Sequence, residues 1–479
     1  MEKPIKIRLH VLSPVHIGCD DVYEPTSFVI DEQKKKLIEF DPLEFVKSLK
    51  PQESDEFSRT ASGDNILAIF KAIKRLYKPT IKGRGVEITD YLIEHYKKIL
   101  RMGTFDKNAV INKFTMNKTA FNLQDNTPYI PGTSLKGALR TAYLSALAAD
   151  QKVTNAQNAK RLETDLLGVS FDSDPFRMVK VSDLLPVDNA STKIFYAVNK
   201  KKKLSDKASR AESGPPQIFE AIMPETIFEG SISVQIPERG ANIKNPIKKE
   251  YLLKAAQRFY AKALADDEKS FQVIGIKNIS DQQHYKQFIE QFNKTAFLVR
   301  IGRHSGAEAV TIEGNRIIKI MGKQGERPKY LQNSTTIWLA SETNKPSSNN
   351  GLLPFGWAAI EVVPFESEGN IYSDKQKVGN KVEAGSIQQV LPMSTPLHKT
   401  AAMQPELIPW KLATLSWNPG NQTLTATKHN KKAEVKIGSD KSFVPEKFHK
   451  ELFKKGKSVE VNLTVEPIGN AFKIFKIEE

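Results

Sequence analysis

Residues 128–147, PYIPGTSLKGALRTAYLSAL, restrict the chain more than any other stretch, because they demand a turn and then a helix. Thr127-Pro128 and Ile130-Pro131 bias the backbone toward extended or turn conformations. Gly132 and Gly137 permit close approach and positive φ, and Thr133 or Ser134 can cap the helix that follows. From there Leu135, Ala138, Leu139, Ala142, Tyr143, Ala146 and Leu147 recur at helical spacing as one apolar face. A glycine-rich loop thus runs straight into a packed helix.

The charges on that helix run against its dipole. Lys136 and Arg140 occupy the first turns, where the macrodipole is already positive, and Asp150 lies at the negative end. Each such charge costs a few tenths to about 1 kcal/mol in isolation. Free amides backed by two cations suit a bound phosphate. An ordinary loop–helix junction with solvated basic residues has the same sequence, so both readings stand at this point. A nucleotide-binding P-loop is excluded by chemistry: Gly132 and Gly137 have its glycine spacing, but Ala138-Leu139 replace the Lys-Ser/Thr that would hold phosphate and magnesium.

At 479 residues the chain exceeds one core, and two or three domains are expected. A net charge of +16 with 39% hydrophobic residues describes a folded protein with a polyanionic partner. No apolar run is long enough to span a bilayer, and no signal peptide or lipidation motif is found. Cys19 is the only cysteine, which excludes disulfide frameworks and thiolate metal clusters within the chain. A cytoplasmic protein without a metal or other cofactor is expected.

Along the chain, Ile5, Ile7, Leu9 and Val11 alternate with Lys6, Arg8 and His10 as a half-buried first strand that ends in SPVHIGCDD. A hairpin at Phe28–Ile30 and Lys36–Phe40 precedes a helical insertion at 42–105, with amphipathic helices at Asn65–Tyr77 and Ile88–Leu100. The polar stretch Lys50–Gly63 reads as a mobile connector. Ile111–Phe121 reads as extended, Ala156–Leu167 as a helix, and Phe176–Val181 as another strand. Strand Ile194–Val198 opens into Lys200, Lys201, Lys202 and Lys203, placed at a hairpin tip as solvated or RNA-contacting residues. Strands at Phe219–Ile222 and Thr226–Gly230 precede helices at Lys248–Leu264 and Asp281–Phe292. A strand at Ala296–Ile301 enters GRHSGAE, where Arg300, Arg303, His304 and Ser305 surround Gly302 and Gly306 as a concave donor site for phosphate or sugar. Strands at Arg316–Ile320, Thr335–Leu339 and Trp357–Val363 follow.

Residues 366–405 have linker composition. Residues 406–479 read as five short strands with one helix at Glu446–Phe453, a pattern that suits a small OB-like barrel. Trp410, Trp417, Phe448 and Phe472 either stack on bases or fill its core.

The stretch Ile130–Arg140 resembles the glycine-rich loop, IPG-S/T-SLKG-x-x-R, of the RAMP superfamily of CRISPR RNA-binding proteins. Pro14, His16, Ile17 and Gly18 match that family's P-x-H-I-G loop, Ser182-Asp183 its S-D strand end, and Glu220–Gly230 its E-x-x-x-P-x-T-x-F-x-G pattern. The GRHSGAE loop and Leu353–Trp357 most resemble the fifth-subunit family of type III-A (Csm) effector complexes. The resemblance spans residues 4–365. It implies an α+β fold of RAMP-type ferredoxin-like (RRM-like) halves, 1–190 and 191–365, with a thumb hairpin at 198–218. It further implies a non-catalytic subunit that caps the backbone filament near the CRISPR RNA 3′ end. Its partners would be that guide RNA, the other Csm backbone and small subunits, target RNA indirectly, and host nucleases for 3′ trimming. The guide would be held by Gly132, Thr133, Ser134, Lys136, Gly137 and Arg140, with His16, Arg303, His304 and Ser305. No RNP-type aromatic strand is present, which favours backbone-directed contact.

The competing reading is a metal-independent endoribonuclease that processes CRISPR RNA. It needs a base and an acid, and His16 with His304 qualify only if they lie close together. Asp20 and Asp21 fall where target-cutting backbone subunits carry an acidic residue, but CDDVYEP does not match the pattern around it.

Overall fold

Alternation makes β1 (Ile5–Val11) two-sided: Ile7, Leu9 and Val11 are buried, while Lys6 and Arg8 reach Glu229 at 2.8 and 3.3 Å on the other face. The structure, a computed structural model, describes residues 3–478 except 64, 103–113, 155, 157, 168–172, 204–216, 239, 244, 293–295, 321–326, 364–406, 419–422, 429–430, 438–442, 455–457 and 469–470. The chain divides into two compact units, Met1–Ser373 and Asp374–Glu479.

The first unit continues with β2 (Gly18–Val22), a hairpin of β3 (Phe28–Asp31) and β4 (Lys36–Phe40), and helices α1 (Pro42–Ser48), α2 (Pro51–Ala61) and α3 (Ile66–Leu76). Then come β5 (Gly83–Glu87), α4 (Asp90–Leu100), β6 (Met116–Thr119), α5 (Gly132–Asp150) and α6 (Ala159–Leu167). A 3-10 turn (Pro175–Met178) leads into β7 (Val179–Val181) and β8 (Leu185–Pro186), followed by β9 (Thr192–Lys201), β10 (Gln217–Ile222) and β11 (Ile227–Val234). Last are α7 (Lys249–Ile274), α8 (Gln283–Phe292), β12 (Ala296–Arg300), β13 (Ile318–Ile320), β14 (Lys329–Leu331), β15 (Thr336–Ser341), β16 (Leu353–Pro354) and β17 (Trp357–Val362).

One sheet runs β12-β17-β1-β11-β7, antiparallel throughout, with α5 between β1 and β7 in sequence and α7 between β11 and β12. Its core joins Ile7, Leu9 and Val11 to Leu135, Leu139 and Ala142 of α5 and to Leu252, Ala256 and Tyr260 of α7. The second sheet runs β2-β6-β10-β9-β5-β4-β3, with β15 also on β9. Phe28, Leu37 and Tyr196 of that sheet pack with Phe70 of α3 and Leu92 and Tyr96 of α4 in a separate cluster. Both sheets draw strands from either side of position 190.

Three local expectations need correction. Lys50–Gly63 is not a connector: it carries α2, whose Phe57 is buried edge-on against Phe45 at 5.1 Å and whose start is closed by Glu53 accepting from the Lys50 N–H at 2.8 Å. One aromatic anchor and one cap suffice for an otherwise polar helix. Phe176 and Met178 lie in the 3-10 turn, opened by the Asp174 carboxylate on the Phe176 N–H at 2.8 Å. Lys200 and Lys201 are not at a hairpin tip, because β9 runs on through them and pairs them with Ile337 and Thr336 of β15. The remainder of the expected thumb, 204–216, and the expected linker 366–405 lie outside the described residues.

The second unit is a closed barrel, β18-β19-β20-β22-β21, built from β18 (Ile408–Asn418), β19 (Thr423–Lys428), β20 (Lys431–Lys436), β21 (Val459–Ile468) and β22 (Ala471–Ile477), with α9 (Glu446–His449) between β20 and β21. Trp410, Leu415, Leu424, Ala433, Leu463 and Ile474 fill its own core. Among the described residues no helix is long and apolar enough to cross a membrane, and no group of three or more His, Cys, Asp or Glu could hold a metal ion.

Candidate nucleic-acid interface

The glycine-rich loop is locked to the chain's own backbone before it reaches solvent. Ile130 and Leu184 exchange backbone hydrogen bonds at 3.0 and 2.9 Å. A Cβ on Gly132 would stand 2.3 Å from the Val181 carbonyl, so only glycine fits there. Neither Thr133 nor Ser134 caps α5; Pro131 holds the N-cap position, and the Gly132 N–H donates instead to the Asp183 carboxylate at 2.8 Å. The helix start therefore already has an anion, supplied by the Ser182-Asp183 motif.

Beyond that first residue the helix offers Thr133, Ser134, Lys136, Gly137 and Arg140 on its less buried face. Arg140 is committed internally, to Glu163 at 3.0 Å and Asp174 at 2.8 Å, with its guanidinium over the Phe176 ring at 5.0 Å. Gly137 has open space where a Cβ would be. An exposed glycine inside a helix costs roughly 0.5–1 kcal/mol relative to alanine, and nothing packed against it requires one. Lys136 makes no hydrogen bond or ion pair among the described residues. Its pKa is lowered by partial burial and by Lys180, against the pull of Asp174, with Arg140 adding to the depression.

Lys136 opens onto a groove of about 1040 Å³, lined also by Arg177, Met178, Lys180, Gln235–Glu238 and Gly240–Ile243. Arg177 and Lys180 are exposed, on the 3-10 turn and β7 beside the loop. Among the described lining residues these three cations face one acid, Glu238, and that excess of positive charge attracts a polyanion. Nothing in the sequence singles out Arg177 and Lys180; their position beside Lys136 depends on β7 lying beside α5.

The second loop is built differently. Gly302, His304 and Gly306 have φ of 82°, 64° and 84°, and a Cβ on Gly302 would meet the His16 carbonyl at 2.4 Å. The Arg303 N–H donates to His16 O at 2.8 Å, Ile301 N–H to Gly356 O at 2.9 Å, and Gly356 N–H to Pro14 O at 2.9 Å. These bonds knit the PVHIG, GRHSGAE and LPFGW motifs into one junction. Arg300 is no surface donor: only 3% exposed, it pairs with Asp267, donates to Phe355 O at 3.0 Å and lies over Trp357. Ser305 and His16 are buried, and the His16 Nδ1 meets Glu220 O at 2.7 Å. Of the four polar residues placed around these glycines, Arg303 alone is exposed, with its guanidinium over Phe219.

His16 and His304 are brought into one neighbourhood, both in contact with the Phe219 ring, at 4.8 and 5.0 Å. Burial, then Arg303 and His16, bring His304 down to about 3, and burial with Arg303 lowers His16 despite its carbonyl partner. Burial thus disfavours the protonated form of both rings, the form a general acid needs. The lysine run is also divided. Lys202 is tied to Glu308 at 2.8 Å, and Lys203 is exposed. Burial pushes the Glu308 carboxyl up, but Lys202 and Ser334 outweigh it and hold the group at about 2.

Against known proteins, residues 8–307 match the model of the RAMP superfamily. The chain belongs to the RAMP superfamily. A curated relative, CRISPR system Cms protein Csm5 of Methanocaldococcus jannaschii, is 23% identical over 396 residues, covering 75% of this chain and 89% of the relative. The protein of the same name from Streptococcus thermophilus is 26% identical over 273 residues, covering 54% and 70%. Among solved structures, a chain of a Csm–crRNA–target RNA ternary complex of a type III-A CRISPR-Cas system aligns with TM-score 0.48 and 17% identity, over 75% of this chain and all of that one. Csm5 of T. onnurineus aligns with TM-score 0.43 and 16% identity, over 73% and 99%.

Proposed function

We propose that this RAMP protein is a non-catalytic guide-RNA-binding subunit of a type III-A (Csm) effector complex. In this reading it caps the backbone filament near the CRISPR RNA 3′ end and supports guide maturation and antiviral defence. The observation that carries the RNA-binding part is the groove beside α5, where Lys136, Arg177 and Lys180 converge next to an exposed helical glycine. Relatives named Csm5 support the assembly. The β17-β1-β11-β7 sheet with α5 and α7 then serves as a ferredoxin-like platform, and β9 with β10 forms the base of the thumb. Guide phosphates sit against Lys136 and Lys180, with Thr133 and Ser134 within reach of riboses and Arg303 and Lys203 as outlying contacts. Partners are guide RNA and the neighbouring Csm subunits, with target RNA contacted indirectly and host nucleases trimming the exposed 3′ end.

The test of the non-catalytic assignment is a single-turnover incubation with labelled CRISPR repeat RNA, with and without magnesium. The expected outcome is bound, intact RNA under both conditions, because burial disfavours the protonated form of both His16 and His304. Cleavage that disappears in His16→Ala would make the protein a metal-independent endoribonuclease instead.

A further inference from the structure

The groove beside α5 is lined by two chemically different parts of the chain. Its cations come from α5, the 3-10 turn and β7, as Lys136, Arg177 and Lys180. The segment after β11 supplies Ile236, Pro237, Ala241 and Ile243 and, among the described residues, a single charge, the exposed Glu238. Arg239 and Lys244 of that segment lie outside the described residues. Ile236 is 70% exposed and Ile243 is half-buried. One exposed isoleucine on a surface needs no explanation; several apolar residues lining a cationic groove do.

The apolar part is held in place by its own backbone. Val234 pairs with Val179 at the end of β11, and the Gln235 N–H carries the ladder one step further, donating to Met178 O at 2.9 Å. The segment then turns on itself around Gly240, at φ 93°, with the Ala241 N–H on Glu238 O at 3.1 Å and the Ile243 N–H on Ala241 O at 2.7 Å. Ile236 thus follows directly on the turn that carries Arg177, without a place in the core. A groove that gripped phosphates alone would gain nothing from isoleucine, and the Glu238 carboxylate would repel them. Base faces are the apolar part of a nucleic acid, and they are open to contact only in an unpaired strand.

We propose that Ile236, with Pro237 and Ile243, is the base-contacting side of this groove. Phosphates lie against Lys136, Arg177 and Lys180, and the bases of an unpaired strand turn toward the segment after β11. The inference rests on the reading of this groove as the RNA site and adds the orientation of the strand within it. Contact with the face of a base rather than its edge tolerates any sequence, but it excludes a duplex, whose faces are stacked inside.

The test uses the full chain, a labelled unstructured RNA and a fully abasic strand of the same length. Ile236→Ser should weaken binding of the base-containing strand about fivefold, the lower end of what one base–side-chain stack contributes. Binding of the abasic strand, the log–log salt slope and the melting temperature should stay as they are, because no phosphate contact and no core packing is removed. Ile236→Tyr should tighten binding of the base-containing strand alone. Lys136→Glu with Lys180→Glu should instead lower the salt slope for both strands, which tests the groove separately. If that pair lowers the slope while Ile236→Ser weakens both strands equally, or neither, the groove holds RNA and the orientation proposed here is wrong. The same follows if Ile236→Ser weakens duplex binding as much as single-strand binding. If the lysine pair leaves the slope unchanged, the groove is not the RNA site and the inference falls with it.

Discussion

The two glycine-rich loops look alike as sequence, each combining glycines, hydroxyls and basic residues, yet their glycines serve opposite ends. In the second loop the space beside Gly302 is taken by the His16 carbonyl, and the adjacent Arg300 turns inward to Asp267. In the first, Gly132 is equally crowded, but Gly137 one turn later faces open space and Lys136 faces a groove. A glycine whose missing Cβ is filled by the chain itself explains packing. One with nothing beside it leaves room for an incoming backbone.

The largest effect that would break this contrast is at Arg300. Arg300→Ala leaves Asp267 buried without its partner, and a loss of roughly 3–5 kcal/mol is expected, read as a collapse of the urea midpoint of the first unit. Unchanged stability with weakened RNA binding would return Arg300 to the surface role its sequence context suggests.

An effect of intermediate size concerns acid. His304 is held at about 3 in the folded chain, first by burial and then by Arg303 and His16, against an unfolded value near 6.5. Between those values the unfolded state binds the extra proton, so stability should fall as pH drops below about 6.5, by roughly 1 kcal/mol per pH unit. His304→Phe should flatten the dependence of denaturation midpoint on pH; an unaltered slope would mean that the ring is solvated and the second loop open.

The smallest effect sharpens the contrast between glycines. Gly137→Ala should stabilise the chain by roughly 0.5–1 kcal/mol while weakening RNA binding, since the added methyl meets only the incoming strand. Gly302→Ala should do the reverse, lowering the melting temperature through positive φ and the clash with His16. Melting curves and RNA titrations on both variants separate the two roles; a destabilising Gly137→Ala would show that the helix face is packed.

Much of the framework is legible in the sequence because period and chemistry agree. β1 follows its alternation, α5 its apolar spacing, and the five strands expected in 406–479 are those of the barrel. The misses share a cause in partners distant along the chain. β5 has two glycines and little alternation, and Gly83 is needed because Glu39 O of β4 would lie 2.4 Å from its Cβ. Arg140 reads as a free cation because Glu163 and Asp174 reach it only after α6 and the 3-10 turn fold back. Arg177 and Lys180 give no signal for the same reason, being brought to Lys136 by tertiary placement alone.

The most direct measurement is the salt dependence of single-stranded RNA binding by Lys136→Glu with Lys180→Glu, compared with the parent chain. Arg140 is left intact because its two carboxylate partners make it structural. If the α5 groove holds guide phosphates, the folded double variant should keep its melting temperature, bind RNA more weakly, and show a log–log slope smaller by about 0.7 for each phosphate it no longer neutralises. Unchanged affinity and slope in the folded variant would contradict the assignment of this groove as the RNA site.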